Sequence, residues 1–264
     1  MDFARVNGLT LHYRMAGRPG SPAIVLANSL GTDARIWDGV IAHLEDRYSI
    51  LSYDKRGHGL SDAPSAPYSL DDHAADMEGL VDHLGIDGFA LAGISVGGMI
   101  AQRVAVRRPG WVKALALCDT AARIGTAESW NERIEAVRTR GLAAIADAVL
   151  DRWFTQAFRR DRQAELAGWR NMLIRTPAEG YAGTCAALRD ADLTAEVPTI
   201  RLRTLVVAGA EDRATPPDEV RALADLLPDA RFEIIPDAGH IPSIEQPEKL
   251  AALMESYFRE VGHV

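Results

Sequence analysis

"FALAGISVGGMIAQ", residues Phe89 to Gln102, decides the fold. An apolar run stops at a serine fenced by glycines and resumes at once as a helical pattern. Glycine costs a helix about 1 kcal/mol per position relative to alanine. Gly93, Gly97 and Gly98 around Ser95 must therefore answer a geometric need. "FALAG" reads as a strand and "VGGMIAQRVAV" as a helix, so Gly93-Ile94-Ser95-Val96-Gly97 is a G-x-S-x-G on a strand-to-helix turn. The pattern alone is weak; its place between strand and helix gives it force. Such a turn strains the backbone and lifts the serine above the sheet edge. The helix that follows aims its first N–H groups at the place where negative charge would develop.

Outward from this turn the same alternation repeats. "AIVLANS", "SILSYD", "ALALCDT", "TLVVAGA" and "RFEIIP" are near-continuous apolar runs, as expected of strands covered on both faces. Helical patterns run over Leu70–Leu84, Gly97–Arg107, Asp218–Leu227 and Gln246–Phe258. "VNGLTLHYRM" reads as a hairpin turning at Asn7-Gly8. The pattern predicts an α/β fold with a mostly parallel, doubly wound sheet. The alternation breaks once, between Ala122 and about Leu193, where helical segments hold Trp130, Trp153 and Trp169. The expected organisation is a core domain of residues 1–121 and 193–264 with a helical cap, or lid, over 122–192.

The bulk composition narrows the class. The 264 residues, 47% hydrophobic, can bury a sizeable core. A net charge of −8 argues against nucleic acid as a partner. No apolar run has the roughly 18 residues of a membrane helix, and no signal peptide is evident in "MDFARVNGLTLHY". Cys118 and Cys185 form neither a disulfide framework nor a metal-spacing cluster. A cytoplasmic chain with no metal and no cofactor is the expectation; a homo-oligomer is left open.

A neutral serine hydroxyl is a poor nucleophile and needs a base. Among seven histidines, His58 and His240 lie in glycine-containing loops after strands. His240 follows the final strand and suits the order Ser…Asp…His. Arg56-Gly57-His58-Gly59 reads as a tight turn that fixes its own loop. The histidine needs a carboxylate to set its tautomer. Asp212 stands at one strand's carboxyl end and Asp119 at another's, both facing the ligand crevice of an open α/β sheet. Asp212 is preferred, with Asp119 as a backup acid or loop anchor. The oxyanion needs two donors: the N–H of Val96, next to the serine, and the N–H of Leu30 in the loop Asn28-Ser29-Leu30-Gly31. The Ser29 hydroxyl could assist or cap that turn.

With "ANSLG", "YDKRGHGLSD", "GISVGG", "AGAEDRATP" and "DAGHIPSIEQPE" in place, the chain resembles the α/β-hydrolase superfamily over essentially its whole length. One departure is Asn28-Ser29, where many members carry His-Gly. "ANSLGTDARIWD", "GISVGGMIAQ" and the pair Trp130…Arg133 look like the 3-oxoadipate enol-lactonases of aromatic catabolism. Independently, Trp130, Arg133, Ile134 and Val137 share one helix face. An arginine in an apolar stripe could fork onto a substrate carboxylate, or else pair with Glu132 or Glu135. Trp153 is a candidate pocket wall, and Trp169 is assigned to the core of the cap. The resemblance implies a serine hydrolase for a small anionic lactone. An esterase or perhydrolase, a carbon–carbon bond hydrolase and a non-catalytic ligand receptor are its rivals. Dehalogenases of the fold carry aspartate where Ser95 stands.

Overall fold

The computed structural model describes residues 1–263. The hairpin comes first: β1 (Asp2–Val6) and β2 (Leu9–Gly17) pair antiparallel, Val6 opposite Leu9. Asn7 and Gly8 have φ of 51° and 81°. Two positive φ values are what a two-residue turn matching the strands' own twist requires. The other strands are β3 (Ala23–Ala27), β4 (Ser49–Tyr53), β5 (Phe89–Ile94), β6 (Val112–Cys118), β7 (Thr204–Gly209) and β8 (Ala230–Ile235). The eight form one sheet in the order β1-β2-β4-β3-β5-β6-β7-β8. From β4 to β8 every pairing is parallel. β5 and β7 are buried along their whole length, which explains apolar runs without alternation.

Helices α1 (Asp38–Leu44), α2 (Leu70–His83) and α3 (Val96–Arg107) connect the first parallel strands. α1 is absent from the periodicity reading. It is only 7 residues long and is entered through a 3-10 turn over Ala34–Trp37; its buried Trp37, Val40, Ile41 and Leu44 do fall at helical spacing, but over barely two turns, too short a stretch to stand out. α2 starts at a reciprocal cap: Asp72 N–H donates to the Ser69 hydroxyl, and Ser69 N–H to the Asp72 carboxylate. Between β6 and β7 come α4 (Ala127–Arg140), α5 (Ala146–Trp153), α6 (Gln156–Asp161), α7 (Gln163–Ile174) and α8 (Ala178–Asp190), with no strand among them. α9 (Pro217–Leu226), α10 (Pro242–Glu245) and α11 (Pro247–Glu260) complete the chain.

The strand order places the site. From β3 the chain moves outward to β4, then returns across β3 to β5 on its other side. The loops after β3 and β5 therefore diverge, and a crevice opens above their carboxyl ends. Those loops carry Asn28–Thr32 and Ser95.

Candidate active site

Ser95 joins β5 to α3 with φ 60° and ψ −123°, outside the ordinary regions for a residue with a Cβ. The two flanking glycines make the turn possible. A Cβ on Gly93 would lie 2.2 Å from the Gly97 carbonyl oxygen, and one on Gly97 would lie 2.3 Å from that of Ala27. Strand and helix backbones touch here, and only hydrogen fits. Ser95 N–H is tied to the Cys118 carbonyl at 3.0 Å, and the Thr120 hydroxyl donates to the Ser95 carbonyl at 2.7 Å. Turn and neighbouring strand are locked together.

His240 is buried in the loop after β8, and its Nδ1 lies 2.9 Å from Asp212 Oδ2. Asp212 sits just past β7. Its Oδ1 accepts the N–H groups of Ala214 and Thr215 at 2.7 and 3.1 Å, while its Oδ2 accepts the Thr215 hydroxyl at 2.7 Å. Burial opposes the charge on Asp212, yet His240 and these donors outweigh it and hold the carboxyl below its usual range. Thr215 was not anticipated. Its signal was present in "AEDRAT", because an aspartate followed three residues later by threonine can close such a turn.

Asp119 follows β6, fully buried, with a φ of 46°. Its Oδ1 accepts Gly209 N–H at 2.7 Å, and its Oδ2 has no partner among the described residues. Burial and then the charge of Asp212 push its carboxyl well above the usual range. The imidazole hydrogen bond goes to Asp212. Asp119, Asp212 and His240 each bring one potential ligand atom to within 4.8 Å of the others. A cation there would have to compete with the N–H, hydroxyl and imidazole donors already on Asp212.

Ser95 and His240 line one cavity of about 90 Å³ with Ser29, Leu30, Trp153 and Thr215. No hydrogen bond joins the Ser95 hydroxyl to the imidazole among the described residues. Such contacts are commonly long before substrate arrives. Leu30 N–H and Val96 N–H likewise meet no protein acceptor among the described residues. Trp130 and Arg133 of α4 line the same cavity. Trp130 Nε1 donates to the Ile124 carbonyl at 2.7 Å, and the Arg133 guanidinium lies 5.6 Å from the Trp130 ring centroid. Arg133 donates to the Tyr181 hydroxyl at 3.3 Å and forms no ion pair among the described residues, with Glu132 and Glu135 or any other acid.

Three further supporting residues escaped the sequence, and His58 has a second role. Tyr181, on α8, is buried beside Arg133, and burial pushes its phenol up to about 12. Arg152 of α5 also lines the cavity, and burial followed by the charge of Arg133 lowers its guanidinium. Glu245 accepts Gly239 N–H at 2.7 Å and the N–H and hydroxyl of Thr155 at 3.1 and 2.8 Å. His58 does more than shape its own turn: its Nε2 accepts Gly31 N–H at 2.9 Å. Trp169, assigned to a core, is only half-buried, and its Nε1 has no partner among the described residues.

A mostly parallel sheet with a serine on a strained strand-to-helix turn and a histidine–aspartate pair beyond the last strands frames a hydrolase site, and similarity to enol-lactonases puts it in the carboxylic ester class. Residues 24–253 match the alpha/beta hydrolase family, and the chain belongs to it. It is 34% identical over 258 residues to 3-oxoadipate enol-lactonase 2 of Acinetobacter baylyi, covering 98% of this chain and 96% of that one. Among solved structures, the enol-lactonase from Burkholderia xenovorans superposes with a TM-score of 0.95 at 40% identity, covering 98% of this chain and 100% of the other. A thermophilic esterase from Thermogutta terrifontis, solved with malate bound, has a TM-score of 0.94 at 28% identity over 100% of both chains. No helix among the described residues is long and apolar enough to cross a membrane.

Proposed function

We propose that the protein opens a small anionic lactone, with 3-oxoadipate enol-lactone as the substrate and 3-oxoadipate as the product, in the breakdown of aromatic compounds by the protocatechuate or catechol route. The observation that carries this reading is a cationic Arg133, without a carboxylate partner, in the same cavity as Ser95 and His240. A half-buried guanidinium left unpaired is costly, and an anionic ligand offsets that cost. The similarity to two enol-lactonases supports the same substrate.

In this mechanism the Ser95 hydroxyl attacks the ring carbonyl while His240 Nε2 takes its proton. Asp212 stabilises the imidazolium and keeps the proton-accepting nitrogen toward Ser95. The oxyanion is held by the N–H groups of Leu30 and Val96. Collapse breaks the ring C–O bond, and the enolate leaves, takes a proton and becomes the ketone. Water, deprotonated by His240, then releases the acyl group from Ser95 as a carboxylate. Residues 122–192 act as a cap, with Trp130, Arg133 and Trp153 as its substrate-facing side chains.

A panel of the enol-lactone, a neutral aryl ester and a dienolate, followed by acid release in a pH-stat, tests this. Wild type should favour the lactone, and Ser95→Ala should lose turnover by at least about 10³-fold. Arg133→Ala should raise KM for the lactone about tenfold or more and leave the neutral ester nearly untouched. A Ser95→Ala variant with normal turnover would overturn the scheme, and equal effects of Arg133→Ala on both esters would remove Arg133 from substrate recognition.

A further inference from the structure

Lys55, in the "YDKRGHGLSD" loop after β4, is 1% exposed, and its ammonium forms no ion pair among the described residues. It is spent on two backbone carbonyls of the loop after β3: Nζ lies 2.5 Å from the Ser29 oxygen and 3.2 Å from the Thr32 oxygen. The Ser29 carbonyl also accepts the Thr32 hydroxyl at 2.9 Å and the Thr32 N–H at 3.3 Å. That carbonyl and the Leu30 N–H belong to one peptide unit. A trans peptide is planar, with C=O and N–H pointing opposite ways. Whatever grips the Ser29 oxygen from behind therefore aims the Leu30 N–H forward, toward the cavity that Leu30 and Ser95 share.

We propose that Lys55 is a positioning residue of the oxyanion hole: it locks the Ser29–Leu30 peptide and sets its cation behind the N–H that meets the developing negative charge. The proposal rests on the reading of Leu30 N–H as an oxyanion donor. A cation on the carbonyl side polarises the peptide and strengthens its N–H as a donor. In a dry site it also lowers the energy of an anion one peptide away. Burial brings the Lys55 ammonium down to about 7 against the pull of Asp54 and Asp33, so the cation is fully present only below neutral pH, while Nζ can donate to both carbonyls in either form. Asn28 Nδ2 donates to the Thr32 carbonyl at 2.6 Å. Removing Lys55 therefore strips neither carbonyl of all its donors, and the loop has reason to survive.

The test compares Lys55→Met, Thr32→Val and Ser95→Ala with wild type on 4-nitrophenyl acetate, with phenylboronic acid as a tetrahedral inhibitor. Lys55→Met should lower kcat about tenfold or more with KM within about twofold, and weaken phenylboronic acid by a similar factor. Thr32→Val removes one hydroxyl bond to the same carbonyl and should show the same signature, smaller. It carries the test alone if Lys55→Met yields no folded protein. Folded variants with kcat and inhibition within about twofold of wild type, beside an inactive Ser95→Ala, overturn the role of Lys55 and leave the serine mechanism standing. A loss confined to KM overturns it too. An active Ser95→Ala overturns both.

Discussion

Ser95 sits at a φ of 60°, a position that costs a residue with a side chain about 1–3 kcal/mol. The cost is offset by bonds from the Thr120 hydroxyl and to the Cys118 carbonyl, which leave the turn no easy relaxation. Asp119, another left-handed residue, poses a different residue-scale question, since two buried carboxyls cannot both be ionised so close together. Asp212 has backbone, hydroxyl and imidazole donors, whereas Asp119 has one N–H and one oxygen without a partner. The proton therefore belongs on Asp119. Asp119→Asn, which matches a neutral acid in shape and charge, should keep kcat within about threefold and leave the pH profile in place. A displaced acidic limb in that variant would show that Asp119 is ionised in the resting protein.

At the scale of elements, the histidine loop is held by the helical segment between β6 and β7. His240 N–H donates to the Trp153 carbonyl at the end of α5, at 2.8 Å. Glu245 on α10 clasps both sides, accepting Gly239 N–H and both Thr155 donors. Burial raises the Glu245 carboxyl, against the Gly239 and Thr155 donors that favour its charged form. Glu245→Ala orphans three buried donors and should cost about 2–4 kcal/mol in urea unfolding, with a fall in kcat because His240 loses its anchor. A variant of unchanged stability and rate would show that the loop holds itself. The elbow behaves the same way: Gly97→Ala drives a methyl into the Ala27 carbonyl and should destabilise by at least about 3 kcal/mol in the same assay.

Across the whole molecule, buried histidines set the response to acid. His58 and His73 are both buried and held neutral, His58 well below its usual value and His73 at about 3, chiefly by burial and secondarily by Lys55. Unfolded histidines bind protons from about pH 6.5 downward, so between there and about pH 3 the unfolded chain binds more protons than the folded one. Stability should fall as pH drops through that window. The raised carboxyls of Asp119 and Glu245 work in the opposite direction. The comparison that separates them is His73→Leu, whose urea midpoint should decline less between pH 7 and 4 than that of wild type. Parallel declines would mean that His73 takes up its proton in the folded state.

Read alone, the chain yielded the doubly wound sheet, the hairpin turn, the elbow and the side chains of the proposed triad. These rest on local rules: apolar runs of strand length, φ values that only certain residues tolerate, and a serine, aspartate and histidine each just beyond a strand. Tertiary structure showed that the imidazole meets the preferred Asp212 and what Asp119, at the equivalent strand end, does instead: it takes the Gly209 N–H. It also decided what Lys55, His58 and Glu245 do. Their hydrogen bonds reach 26, 27 and 90 residues along the chain, to Ser29, Gly31 and Thr155. Such pairings leave no periodicity, because a buried polar group finds its partner through the packing of distant elements rather than through its neighbours in sequence.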